Sequence, residues 1–74
     1  MRVLFVEGKN AEPLRALASK FRHPYRVLFS KEQDLYLLEM WGVGEQAIGE
    51  AENLEGVRAW SFVLLEEGMP GAEQ

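Results

Sequence analysis

The sequence predicts an α+β domain with the element order β-α-β-β-α-β, and three observations predict it. Four short segments are rich in β-branched, aromatic and aliphatic residues: Val3 to Val6, Tyr25 to Phe29, Leu35 to Trp41 and Trp60 to Leu65. Two segments between them carry apolar residues at helical spacing. Turn-forming residues separate the six elements. The strand segments share a further property: they are apolar on both alternating faces, whereas a half-buried strand alternates apolar with polar. A chain of 74 residues buries only about 60% of its unfolded surface and cannot cover both faces of a sheet. The pattern therefore predicts cover from outside the chain.

Residues 2–7 read as the first strand, and Gly8-Lys9-Asn10 turns the chain. Asn10 reads as a helix N-cap, with Glu12 and Pro13 in the first turn, where both are favourable. Leu14, Leu17, Ala18 and Phe21 follow at i, i+3, i+4 and i+7, which predicts one buried stripe. Lys20 and Arg22 are expected near the helix end, where cations suit the dipole. Pro24 disfavours helix at His23 and ends the segment.

Residues 25–30 and 35–41 read as a hairpin around Lys31-Glu32-Gln33-Asp34. Charge fixes its register. If Ser30 faces Leu35, then Lys31 faces Asp34 and Arg26 faces Glu39, two opposite-charge pairs that favour this alignment. The same register puts Tyr25, Val27, Phe29, Tyr36, Leu38 and Met40 on one face, expected under the helices. Arg26, Leu28, Ser30, Leu35, Leu37, Glu39 and Trp41 fall on the other.

Gly42-Val43-Gly44 breaks the pattern. Residues 45–54 read as a second helix with Ala47, Ile48, Ala51 and Leu54 inward and Glu45, Glu50, Glu52 and Glu55 outward. Gly49 weakens it by up to ~1 kcal/mol relative to Ala, so it is expected to serve close packing on the sheet. Gly56 is expected at the C′ position. Val57 to Glu66 read as the last strand. Residues 1–67 then form one domain, and 68–74, with Gly68, Pro70 and Gly71, a flexible tail. The order is that of the ferredoxin-like split βαβ arrangement, with both helices on one face of a four-stranded antiparallel sheet of order 4-1-3-2. The open face would expose a larger apolar patch than soluble monomers carry. Leu28, Leu35, Leu37 and Trp41 are the candidate interface residues for self-association into a dimer or higher homo-oligomer.

The net charge is −4, which argues against nucleic acid as partner. Residues 1–31 hold seven basic and two acidic side chains, and residues 32–74 one basic and ten acidic. These are solvated surfaces of opposite sign, or patches that steer subunits together. With no cysteine, neither a disulfide nor a thiolate metal site is available. No signal peptide and no run approaching the ~20 apolar residues of a membrane span is visible. A cytoplasmic protein without a membrane role is expected. Richness in Glu, Arg and Leu without Cys resembles thermophile usage.

Catalytic signals are sparse. His23 is the only histidine, and its pairing with Ser19, Ser30 or Ser61 lacks a motif such as G-x-S-x-G. One histidine among scattered carboxylates lacks metal-ligand spacing, so neither a metal nor another cofactor is expected and no catalytic residue is assigned. Leu4 to Lys9 resembles the first-strand motif of RNA-recognition domains, in which an aromatic residue stacks a base. Leu35 to Gly42 lacks the glycine- and aromatic-rich, basic partner motif of the third strand. Trp41 and Trp60 are large for a sheet surface. They fill a core or interface, or form walls of a pocket between subunits, with Arg26, Glu39 and Ser61 as its polar groups.

Asp34 to Met40 and Asn53 to Leu64 carry a family resemblance: a hairpin leading into a hydrophobic strand, an acidic helix, then a Glu55-Gly56-Val57 turn into the last strand. In these features the stretch from Asp34 to Glu67 resembles the C-terminal effector-binding (RAM) domain of the Lrp/AsnC transcription regulators, and more loosely other ACT-like and dimeric α+β-barrel domains. The resemblance implies sheet-mediated dimers that assemble further and bind a small effector such as an amino acid at subunit interfaces. The candidate ligand-binding set is then Arg26, Asp34, Glu39, Trp41, Trp60 and Ser61. Lys31 departs from the family's hairpin glycine, and no helix-turn-helix precedes the domain, which implies a stand-alone version without the family's DNA binding. The sequence leaves two alternatives beside a regulatory ligand-binding module: a small monooxygenase- or isomerase-type enzyme on the same scaffold, with Trp41, Trp60, Tyr36 and His23 in its pocket, and a domain that binds a different protein.

Overall fold

β1 (Arg2–Gly8) runs through the middle of a four-stranded antiparallel sheet in the computed structural model, which describes residues 1–64. The other elements are α1 (Ala11–Ser19), β2 (Tyr25–Ser30), β3 (Leu35–Trp41), α2 (Glu45–Glu52) and β4 (Val57–Val63). The strand order is β2-β3-β1-β4, the ferredoxin-like arrangement read from the sequence, with β1 and β3 central. Leu65 and Glu66 of the expected last strand, and the expected tail, lie outside the described residues.

The hairpin register is the one that the charges predict. Ser30 faces Leu35 and Arg26 faces Glu39. Asp34 absorbs the turn at φ 58, a left-handed conformation that Asp tolerates better than most residues. Its N–H donates to the Ser30 carbonyl at 2.8 Å.

Leu4, Val6, Leu38 and Met40 of the central strands meet Leu14, Leu17, Ala18, Ala47 and Ala51 of the helices, and all are buried. Phe21, Val27, Ile48 and Leu54 pack at the margin of this core. α1 lies mainly over β3, and α2 over β4. Among the described residues nothing covers the outer edge of β2. Tyr25 and Phe29, expected under the helices, are 47% and 49% exposed.

Several local expectations are corrected. Asn10 is the N-cap of α1, but its side chain makes no capping hydrogen bond. α1 ends at Ser19 with no basic residue in its last turn. Lys20 stands at the helix end as expected, as the C-cap, and its Nζ lies 2.8 Å from Glu50 Oε1 of α2. α2 ends at Glu52 with Asn53 as C-cap, so Gly56 serves the following turn, at φ 77, rather than the helix end. A Cβ built on Gly49 meets nothing within 4 Å. Gly49 therefore does not permit close packing, because it faces open space.

Candidate functional site

The face of the sheet turned away from the helices carries the residues with functional potential. Directly opposed residues in antiparallel strands point to the same side, so the two registers of β1 lay out this face in rows. Phe62, Val3 and Trp41 form one row across β4, β1 and β3. Trp60, Phe5, Glu39 and Arg26 form the next, across all four strands. Arg58, Glu7, Leu37 and Leu28 form the third. Leu35 lies beyond them, facing Ser30.

Glu39 sits near the middle of this face, and although no helix covers it there it is only 6% exposed. A buried carboxylate needs charge-assisted partners. Arg26 Nε donates to Glu39 Oε1 at 2.7 Å, and Trp41 Nε1 donates to Oε2 at 2.9 Å. Each oxygen thus holds one donor, and the acid fixes both a guanidinium and an indole. Arg26 itself remains largely exposed.

The β1 and β4 side of the face is aromatic. Phe5 stacks on Trp60, with ring centroids 5.6 Å apart at 18°, and on Phe62 at 5.4 Å and 26°. The Arg58 guanidinium lies 5.4 Å from the Trp60 ring centroid, within cation–π reach. Glu7 Oε1 lies 3.5 Å from Arg58 Nη2. Trp60 and Phe62 are 39% and 44% exposed and Leu28 41%. Phe5, Leu35, Leu37 and Trp41 are half-buried.

Of the six residues expected to bind a ligand, the structure joins three by hydrogen bonds: Arg26, Glu39 and Trp41. Trp60 shares their face and the row of Glu39 and Arg26 but is separated from Glu39 by Phe5. Ser61 faces Leu4 and so points to the helix side, because residues 60 and 61 of a strand lie on opposite faces. It does not share the open face with the other candidates. Asp34 stands exposed in the β2–β3 turn, beyond the rows of the face. The four expected interface residues, Leu28, Leu35, Leu37 and Trp41, all lie on the open face.

The sequence reading missed the stacking of Phe5 and Phe62 beside Trp60, since it left the β1–β4 register open. A signal was present: Glu7 and Arg58 face each other, the same kind of opposite-charge pair that aligned the hairpin. His23 packs its ring on Phe21, with centroids 6.0 Å apart. An enzymatic reading looks for a polar cavity between sheet and helices, and that layer is filled by the apolar core. A groove of about 360 Å³ lies instead at the end of β1, lined by Glu7, Lys9, Leu35, Gly56 and Arg58 among others. None of the six candidate ligand residues borders it. No group of three or more metal-ligating side chains occurs among the described residues, and no described helix is long and apolar enough to cross a membrane. Comparison with known proteins finds no family model, no curated protein and no solved structure that matches this chain.

Proposed function

We propose that this chain is a small ligand-binding or regulatory module that associates with itself through the open face of its sheet, as in a dimeric α+β barrel. The observation that carries this reading is the open face. Apolar side chains from all four strands stand on it, with Trp60, Phe62 and Leu28 each about two-fifths exposed. Contiguous apolar patches of this kind mark interaction surfaces. A second copy suits the surface because its charges cancel: Arg26 and Arg58 are balanced by Glu39 and Glu7, each within its own protomer. Two such faces meet without net repulsion.

A small molecule with a carboxylate, such as an amino acid, fits the polar end of this face. Glu39 engages only Nε of Arg26, so among the described residues the terminal guanidinium nitrogens keep their donors for a carboxylate. Trp41, Leu37 and Leu28 offer apolar surface beside them. The resemblance of the second half of the chain to effector-binding RAM domains implies the same kind of role.

Sedimentation at micromolar concentration tests the association: a dimer or larger assembly is expected, and a stable monomer overturns the reading. Leu37→Glu places a charge on the face between Glu7 and Leu28 and is expected to dissociate the assembly while leaving the helix-side core intact. Thermal-shift screening of the amino acids tests the ligand class, with stabilisation expected in the wild type and lost in Arg26→Met.

A further inference from the structure

Among the described residues β2 is an edge strand with its outer backbone groups unpaired, and those groups can be assigned. The Trp41 N–H donates to the Pro24 carbonyl at 2.9 Å. In antiparallel pairing, hydrogen-bonded and non-hydrogen-bonded pairs alternate. Arg26, Leu28 and Ser30 therefore bond to Glu39, Leu37 and Leu35 of β3 in the observed register. Tyr25, Val27 and Phe29 turn their N–H and C=O groups outward, away from the sheet.

Proteins blunt such edges with proline, lysine, bulges or a covering element. Among the described residues β2 has none of these within its own span, Pro24 and Lys31 lying just outside it. Its one charge, Arg26, is drawn onto Glu39 rather than guarding the edge. Apart from Arg26, its exposed side chains are apolar on both faces: Tyr25 and Phe29 on one, Leu28 on the other. The opposite edge, β4, leads into residues outside the described range, whereas everything flanking β2 is described.

The sequence of β2 is self-complementary about its middle. Tyr25-Arg26-Val27-Leu28-Phe29 has Val at the centre and an aromatic ring at each end of the same face. We propose that β2 pairs antiparallel with β2 of a second copy, about a two-fold axis at Val27, and so joins two sheets edge to edge. In this register Val27 faces the partner's Val27, and Tyr25 faces the partner's Phe29, twice by symmetry. All three pairs use the outward backbone groups, so every one of these finds a partner. The two aromatic pairs cover the rings that α1 leaves bare. The flanks agree in charge. The segment before β2 carries Arg22 and the turn after it carries Glu32 and Asp34 against Lys31, and antiparallel pairing lays one flank beside the other. This edge contact is separate from closure of the open face, and the two together build assemblies larger than a dimer.

Amide hydrogen exchange resolved by residue tests it. In a free edge strand the Tyr25, Val27 and Phe29 amides exchange fast while Arg26 and Leu28 are protected. In the paired strand all five are protected, the first three by roughly tenfold or more over an edge-blocked variant such as Phe29→Glu. Persistence of the alternating pattern at concentrations where the wild type is associated, or a wild type monomeric throughout, overturns the pairing. Leu37→Glu, which blocks the open face, is expected to leave protection of the outward amides unchanged, so the two interfaces fail separately. Register is tested by charge swap. Tyr25→Lys and Phe29→Glu each weaken edge association, and the double variant restores it because each introduced lysine faces an introduced glutamate. A double variant no more associated than either single one overturns the two-fold at Val27.

Discussion

Arg26 and Glu39 face each other across the β2–β3 hairpin, and the Arg26 Nε lies 2.7 Å from Glu39 Oε1. The two ends of this bond differ. The Arg26 side chain is 65% exposed and that of Glu39 8%. Solvent screens the cation, as in surface pairs worth about 0–1 kcal/mol. The acid, however, has left water and depends on its donors.

That asymmetry predicts unequal outcomes for the two single variants. Arg26→Met leaves a buried carboxylate with only the Trp41 indole and is expected to lower stability by about 1–2 kcal/mol. Glu39→Leu removes the buried charge and leaves Arg26 to water, so it is expected to cost less, about the one hydrogen bond lost by the Trp41 indole. The double variant is expected to recover most of the Arg26→Met loss. Urea unfolding of the four proteins in a double-mutant cycle checks this, and an equal, additive cost for both singles would show that the pair is only decorative.

Leu37 and Leu38 are adjacent and point to opposite faces, which separates core from interface by a single step along the chain. Leu38 is fully buried against the helices. Leu38→Ala is expected to cost about 2–5 kcal/mol through lost contacts and a cavity, at any protein concentration. Leu37 stands half-buried on the open face. Leu37→Ala is expected to cost less in the protomer and to change chiefly the concentration dependence of the unfolding midpoint. Denaturation at two concentrations differing by about a hundredfold distinguishes them, because mass action moves only an associating protein.

The hairpin was legible because its charges and its apolar pattern point to one register. Arg26 with Glu39 and Lys31 with Asp34 selected the alignment, and the faces followed from the period of two. The helix stripe of Leu14, Leu17 and Ala18 was legible for the same reason, a period matched to burial. What was not legible depended on long-range placement. Nothing local to Tyr25 or Phe29 says that α1 stops short of them. Nothing local to Ser61 says which face it takes until β4 is aligned with β1. The Arg26–Glu39–Trp41 cluster was half visible: the ion pair followed from register, while the indole bond required Trp41 to fold back along its own strand onto a residue two positions away.

Glycine positions give a stability test that is independent of association. Gly49 lies within α2, its added Cβ would meet nothing within 4 Å, and the helix gains from a better helix former. Gly49→Ala is expected to stabilise the protein by about 0.5–1 kcal/mol. Gly56 also faces open space, but its φ is 77°, where a Cβ is strained against the backbone. Gly56→Ala is expected to destabilise by about 1–2 kcal/mol. Opposite signs from two uncrowded glycines, read as shifts in urea midpoint at constant slope, isolate backbone conformation from packing.

Phe5 is the shared member of the aromatic stack, since it meets both Trp60 and Phe62 while those two residues are neighbours along β4. Each such pair adds about 0.5–1.5 kcal/mol beyond the area it buries. Phe5→Leu keeps an apolar side chain of the β1 open face and removes both pairs at once, so a loss of about 1–3 kcal/mol is expected. Phe62→Leu removes one pair only and is expected to cost roughly half as much. Trp60 sits against Phe5 on one side and the Arg58 guanidinium on another, so its near-ultraviolet circular dichroism should weaken in Phe5→Leu and persist in Phe62→Leu. If both variants leave stability and the tryptophan signal unchanged, the rings are not held in a stack in solution, and the open face is a looser surface than their geometry implies.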